Sequence, residues 1–356
     1  MVAIRPLLLG LDGYRLTDNE KAFLSEAPPV GFLLFARNIE SPEQTRALCE
    51  ELSEFAPFGN APLIAVDQEG GRVQRVKFGG KLPAARAFGE WYTTHPQNAL
   101  EAARLSAFLL AAQLRDVGAN WLMGPLIDVG TPTTHAIIGN RAFAEDAETV
   151  IALATEYAKG VEQGGCLRCL KHAPGHGLAV VDSHLELPEV TASLAELEQD
   201  FAPFKAMAPK EDFLMTAHIR FTALDDKPAT YSPTILNMMR DDWDFGGLIM
   251  ADDVGMKALP GNYVDRVRTS LAAGCDFAIT ALSVLKHGMA GTFFDTESFE
   301  ALCREELPAL DAESLAFLSA LNIPSAPSAE DVANARERLA QLWADAPVRM
   351  SYSLEL

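Results

Sequence analysis

Short apolar runs alternate with amphipathic helical patterns along most of the chain, the arrangement expected of βα units feeding a parallel sheet. The runs are PLLLGLD (6–12), VGFLLFA (30–36), PLIAVD (62–67), ANWLMGPLIDV (119–129), CLRCLKH (166–172), FLMTAHI (213–219), GLIMADD (247–253) and CDFAITA (275–281). Between them the pattern predicts helices near 18–26, from Ser41 as N-cap with Pro42 in the first turn, and near 97–116, 145–162 and 193–207. Eight such units predict an α/β fold, a closed (β/α)8 barrel of the TIM type, with a doubly wound open sheet as the alternative. From about 310 onward the chain reads as helices, DAESLAFLSAL and SAEDVANARERLAQLWA, separated by the proline-rich PSAPSAE. The expected organisation is a catalytic barrel over residues 1–310 and a helical extension over 311–356 packed against it.

In such a barrel the working groups project from the C-terminal ends of the strands, so polar residues there call for an explanation. The third run ends in Asp67, the fourth near Asp128, the fifth in Lys171 and His172, the sixth in His218, and the seventh in Asp252 and Asp253. Any one could be a satisfied structural residue. Five strand ends carrying groups of complementary charge predict an active site at one mouth. The richest stretch is KHAPGHGLAVVDSHLELP (171–188), which holds three of the seven histidines and whose glycines and Pro174 forbid a continuous helix. At about seventeen residues it is long for a βα connection, as functional loops often are.

Composition narrows the partners. A net charge of -20 with no local Lys/Arg cluster disfavours nucleic acid and anionic membrane surfaces. No apolar run approaches the roughly 18 residues needed to span a bilayer, and the N-terminus has no signal-peptide pattern. Five scattered cysteines do not form a disulfide framework, and a soluble cytoplasmic protein is expected. Cys166 and Cys169 form a C-x-x-C within a strand, where positions three apart face opposite sides, and no second pair completes a zinc site.

The chain has no G-x-G-x-x-G, Walker or G-x-S-x-G sequence. Carboxylates with histidines remain, suited either to a metal-assisted hydrolase or to acid/base and covalent work on a sugar. A metal would need ligands from His172, His176, His184 and His218, whose spacing matches no regular helical pair. The covalent reading uses the groups more fully. A strand-end aspartate can attack an anomeric carbon. In Asp182-Ser183-His184 the acid and the imidazole are two apart, on one side of an extended chain, and able to pair. Such a carboxylate favours the imidazolium and fixes the tautomer, so the histidine can serve first as acid and then as base.

At these residues the sequence resembles the family 3 glycoside hydrolases, specifically the single-barrel β-N-acetylhexosaminidases of bacterial peptidoglycan recycling. The resemblance spans about 4–285 and rests on VDQEGGRVQR (66–75), AIIGNRAF (136–143), the 171–188 stretch, MTAHI (215–219) and ADDVGM (251–256). It implies Asp252 as nucleophile, His184 with Asp182 as the acid/base dyad, and Asp253 as a supporting group. It also implies that Asp67, Arg75, Arg141, Lys171 and His172 bind the non-reducing sugar, with no metal or cofactor. The substrate it implies is a terminal β-linked N-acetylglucosamine on an anhydromuramic acid sugar or muropeptide, turned over by a retaining exo-acting enzyme; a monomer is expected, although the sequence does not fix the oligomeric state. A β-glucosidase or glycoside phosphorylase of the same family, and a non-catalytic sugar-binding protein, are the alternatives. Ala173, where the family usually has an aromatic or larger apolar residue, and Ala251 and Gly255, where small hydroxyl residues are commoner, depart from the pattern. So does VKFGGKLPAARAFG after Arg75. His176 is expected to be structural, and the arm carrying Asp182 and His184 to close over bound sugar.

Overall fold

A computed structural model describes residues 3–58, 61–285 and 292–356 of the chain. Its main sheet contains β1 (Arg5–Gly10), β2 (Pro29–Leu34), β3 (Leu63–Val66), β4 (Trp121–Leu122), β5, in two pieces (Leu167–Arg168 and Leu170–Ala173), β6 (Phe213–Thr216), β7 (Leu248–Ala251) and β8 (Phe277–Thr280). Every pairing among them is parallel. The first piece of β5 pairs with β4 and the second with β6, so the sheet closes on itself as an eight-stranded barrel. The open-sheet alternative is thereby excluded.

The strands read as unbroken apolar runs because both of their faces are covered. Leu8, Leu33, Ala65, Trp121, Met215, Met250 and Ile279 fill the barrel interior, whereas Leu7, Leu9, Phe32, Ile64, Leu214 and Ile249 pack outward under the helices. Cys169 belongs to the inner set and Cys166 to the outer one, the opposite facing expected of strand positions three apart. The outer helices start where their caps predict: Thr17 and Glu20 form a capping box on Asp18–Glu26, and Ser41 accepts from the Gln44 amide ahead of Pro42–Ser53.

Two segments differ from their sequence expectation. The run 119–129 contributes only Trp121–Leu122 to the ladder, because Pro125 has no N–H to donate. Beyond it the contact with β5 continues as single bonds, such as Cys169 N to Gly124 O at 3.0 Å. The long connection after β3 also contains structure that its polarity hid. It forms a small hairpin (Gln68–Gly70 with Val73–Gln74), turning through Gly70 and Gly71 at φ +89° and +56°, and then a helix, Ala85–Tyr92.

The segment after about residue 310 divides in two. Helix Ala312–Ala320 packs under the barrel, where Leu310 and Leu318 join the interior cluster and the Phe317 ring lies 6.3 Å from that of Phe213. Helix Ala329–Ala344 lies against Pro96–Asp116, with Trp343 edge-on to Trp91 and Arg338 gripping Glu101 through two bonds of 2.7 and 2.8 Å. No helix among the described residues is long and apolar enough to cross a membrane.

Candidate active site

The C-terminal ends of the strands surround a cavity of about 800 Å³. Asp67, Arg75, Arg141, Lys171, His172, Asp182, His184 and Asp252 all line it. The structure therefore brings together every residue singled out from the sequence for catalysis or sugar binding. Asp128, His176 and His218 stand behind this wall and not in it.

Lys171 and Glu69, both buried, and the half-buried Asp67 form the floor on one side. Lys171, 1% exposed, places Nζ 2.9 Å from Asp67 Oδ1 and 2.7 Å from Glu69 Oε1. Glu69 is also held by Arg141 through two bonds of 2.7 and 2.8 Å. Burial pushes both carboxyls up, but the facing cations more than offset it and hold both below their ordinary range. Arg75 Nη2 comes within 4.0 Å of Asp67 Oδ2. Glu69 was not expected from the sequence, although its place in VDQEGGRVQR two residues beyond Asp67 carried the signal. It also changes the view of Arg141, whose guanidinium is committed to Glu69 and to the Ile137 carbonyl at 3.1 Å. Arg141 anchors the floor as well as lining the cavity.

His172 is oriented from beneath. Its Nδ1 is 2.8 Å from Asp128 Oδ2, and the backbone amides of His172 and His176 donate to Asp128 Oδ1 at 3.1 and 2.9 Å. Burial pushes the Asp128 carboxyl up, but the His172 imidazole facing it leaves it ionised below the ordinary range. His176 is buried with Nδ1 unpartnered, and desolvation lowers its pKa to about 4, so it is neutral at physiological pH.

Asp252 follows the last residue of β7. Its Oδ1 accepts the Asp253 amide at 2.7 Å. Partial burial would raise this carboxyl, but His172, His218, the Asp253 N–H and His184 together hold it lower than usual, as an anion. Asp253 behaves in the opposite way. Desolvation, with the repulsion of Asp252 added, pushes it up to about 6, although Gly255 N and Ala281 N each donate to its Oδ1 at 3.0 Å. Adjacent carboxyls thus titrate apart. A Cβ at position 255 would stand 3.1 Å from Asp253 Oδ2, so the glycine leaves this bond network room. His218 supports the turn from below, bonding Thr230 Oγ1 at 2.7 Å and the Asp253 carbonyl at 3.1 Å.

The remaining pair comes from the arm that follows β5. Asp182 Oδ1 accepts both the His184 amide and its ring Nδ1 at 2.9 Å. The pairing agrees with expectation, but its basis does not. The segment is not extended: Leu185 N and Glu186 N bond back to the Asp182 carbonyl, so a turn places the ring over the carboxylate. Partial burial pushes Asp182 up, while the His184 amide and ring outweigh it and keep the carboxyl below its usual range. The arm is tied to the β4 loop by Thr134 Oγ1 to Gly177 O and by His135 N to Ala179 O at 3.0 Å. Ala258 N to Ser183 O (3.2 Å) and Lys257 N to His184 O (3.4 Å) tie it to the β7 loop. Among the described residues no cluster of three or more His, Cys, Asp or Glu has metal-binding geometry.

An ionised aspartate, a carboxylate-oriented imidazole and paired cations around one cavity at the strand ends of a closed barrel define a glycoside hydrolase. The chain belongs to glycosyl hydrolase family 3, whose N-terminal domain model matches residues 6–293. It is 36% identical over 286 residues to a beta-hexosaminidase of Thiobacillus denitrificans, covering 78% of each chain. It is 38% identical over 279 residues to one of Stenotrophomonas maltophilia, covering 77% of this chain and 82% of that one. The crystal structure of NagZ from Neisseria gonorrhoeae in complex with N-trifluoroacetyl-D-glucosamine aligns with a TM-score of 0.83 at 30% identity, over 97% of this chain and 99% of that one. Fold and sequence thus agree in making the protein a family 3 glycoside hydrolase.

Proposed function

We propose that the protein is a retaining exo-β-N-acetylglucosaminidase that removes a terminal β-linked N-acetylglucosamine from an anhydromuramic acid sugar or muropeptide. The observation that carries this reading is the opening of two unlike groups onto one cavity: Asp252, held as an anion, and His184, backed by Asp182. An Asp252 oxygen attacks the anomeric carbon while the His184 imidazolium gives its Nε2 proton to the departing glycosidic oxygen, leaving a glycosyl ester on Asp252. Neutral His184 then takes a proton from water as that water attacks the same carbon, the ester bond breaks, and the Asp252 carboxylate is restored. Net configuration is retained. Asp182 stabilises the imidazolium of the first step and holds Nε2 toward the cavity in both.

Asp67, Arg75, Lys171 and His172 would receive the terminal sugar, the carboxylate and cationic donors clamping adjacent hydroxyls. The N-acylated glucosamine held by the gonococcal NagZ supports an amino sugar at this position. Free cysteines, four of the five buried, support action in the reducing cytoplasm.

The test is turnover of nitrophenyl β-N-acetylglucosaminide by the parent, Asp252→Ala and His184→Ala. Loss of the nucleophile is expected to lower kcat on the order of 10⁴-fold or more, and loss of the acid/base group about 10²- to 10⁴-fold. A fluorinated N-acetylglucosamine inactivator should leave its adduct on the peptide containing Asp252. An adduct elsewhere, or an Asp252→Ala enzyme with parental kcat, would overturn the mechanism, and preference for the glucoside or for phosphate as acceptor would replace the activity.

A further inference from the structure

The C-terminal tail reaches the loop that carries Arg75. Residues 77–82 turn back toward the end of the chain, and Lys81 and Glu355 pair through both backbone bonds, N to O at 2.7 Å and O to N at 2.9 Å. Their side chains add an ion pair of 3.0 Å, but each is about half exposed, so that pair contributes little. The fit at Gly80 is close. A Cβ there would lie 1.9 Å from the Glu355 carbonyl oxygen, and its φ of +108° is one that other residues avoid.

From this contact a chain of buried amides leads to the cavity. The Gly80 carbonyl accepts Gln74 Nε2 at 2.8 Å and Gln113 Nε2 at 3.1 Å. Gln113 Oε1 in turn accepts Nε2 of Gln74 and of Gln68, at 3.1 and 3.0 Å. Gln68 Oε1 closes the path by accepting the backbone amides of Arg75 and Val76 at 2.9 and 3.0 Å, and Gln74 Oε1 accepts the Leu82 amide at 3.0 Å. All three glutamines are buried, so every bond lost leaves an unpaired polar group out of reach of water. The tail lies outside the residues 6–293 that define the family domain.

We infer that the C-terminal tail is a positioning element of the sugar-binding wall: by pairing with Lys81 it holds the Gln68–Gln74–Gln113 cluster, and through that cluster the backbone of Arg75, in its binding position. The inference rests on the proposed role of Arg75 in receiving the terminal sugar.

The test uses two full-barrel variants that remove the tail contact by different routes. One ends after Tyr352, which keeps the Tyr352 hydroxyl on Glu90 Oε1 at 2.7 Å. The other, Gly80→Val, retains the whole tail but drives it from the loop. In both, amides over residues 74–82 should lose hydrogen-exchange protection, and KM for nitrophenyl β-N-acetylglucosaminide should rise about tenfold with kcat within about threefold of the parent. A tail that only braces the fold would lower the melting temperature and leave KM at 25 °C unmoved. That result, or unchanged exchange over 74–82, would overturn the inference. If the parent itself fails to turn over the substrate, the proposed function falls, while the exchange measurement still decides whether tail and loop are coupled.

Discussion

The two sides of the cavity are built on opposite principles. The wall of Asp67, Glu69, Arg141, Lys171 and His172 is built on two strand ends and the loops beside them and held by paired opposite charges; its side chains are at most 12% exposed apart from Asp67 at 23%. The arm of Asp182 and His184 is a loop in which Asp182 is 19% and His184 45% exposed at the side chain, and it is fastened to neighbouring loops by four hydrogen bonds. Recognition of a hydroxyl pattern needs fixed donors and acceptors, which the sheet supplies. Proton transfer at the glycosidic oxygen needs a group that stays near water and can change its protonation state, and a loop supplies that. Stability and activity should therefore respond differently to substitution on the two sides.

The largest effect belongs to the wall. Lys171→Met leaves Asp67 without its nearest cation and the buried Glu69 with Arg141 alone. Removing one partner of such a buried network costs about 3–5 kcal/mol of folding stability, read as a lowered urea midpoint, together with loss of turnover. An unchanged midpoint would mean that the wall is less dry, and less different from the arm, than its burial implies.

On the arm the cost falls on chemistry alone. Asp182→Asn keeps the size of the side chain but no longer favours the imidazolium, and kcat should drop about 10²-fold or more. Folding stability should stay within about 1 kcal/mol, because the pair is partly solvated. A loss of stability as large as that of Lys171→Met would erase the distinction between the two sides.

Much of this was legible in the sequence, for identifiable reasons. Strands buried on both faces leave unbroken apolar runs, so a polar residue at a run's end, such as Asp67 or Lys171, announces a strand end facing the mouth. The barrel and its cavity-lining residues could be read off on that basis. What could not be read depends on contacts between distant segments. Glu69 stands in a motif that marks the site, but its role shows only when Arg141, 72 residues away, folds against it. The glutamine cluster needs Gln113 from a helix and the backbone of Gly80. The Asp182–His184 pair was legible from its spacing of two, yet the turn that makes it was not, since alternation describes strands and this segment is none.

The smallest effect on turnover is expected where the arm is rooted. Asp200, from helix Leu194–Met207, is buried where the arm leaves β5, and its Oδ1 accepts the Gly177 amide at 3.1 Å while Oδ2 has no partner. A Cβ on Gly175 or Gly177 would come within 2.5 Å of this carboxyl, so the glycines are wrapped around it. Desolvation first, and Asp128 second, push its pKa up to about 8 against the pull of the backbone amides of Gly177, Leu178 and Val129. Between roughly pH 4 and 8 the unfolded chain has therefore lost this proton while the folded chain keeps it, and stability from this group falls as pH rises, by at most about 1.4 kcal/mol per unit. Asp67 and Glu69 of the wall, and Asp128 behind it, carry the opposite sign: their pKa values are lowered, and their contribution is present above the ordinary carboxylate range and lost as pH falls through the folded values. Asp200→Asn retains the acceptor for Gly177 and removes the ionisation. Any fixed cost of burying an amide is the same at every pH, so the readout is the slope. The stability of the variant relative to the parent should climb between pH 5 and 8 in urea melts, and a flat difference would show that Asp200 is ionised in the folded protein and that the root of the arm is held by charge, as the wall is.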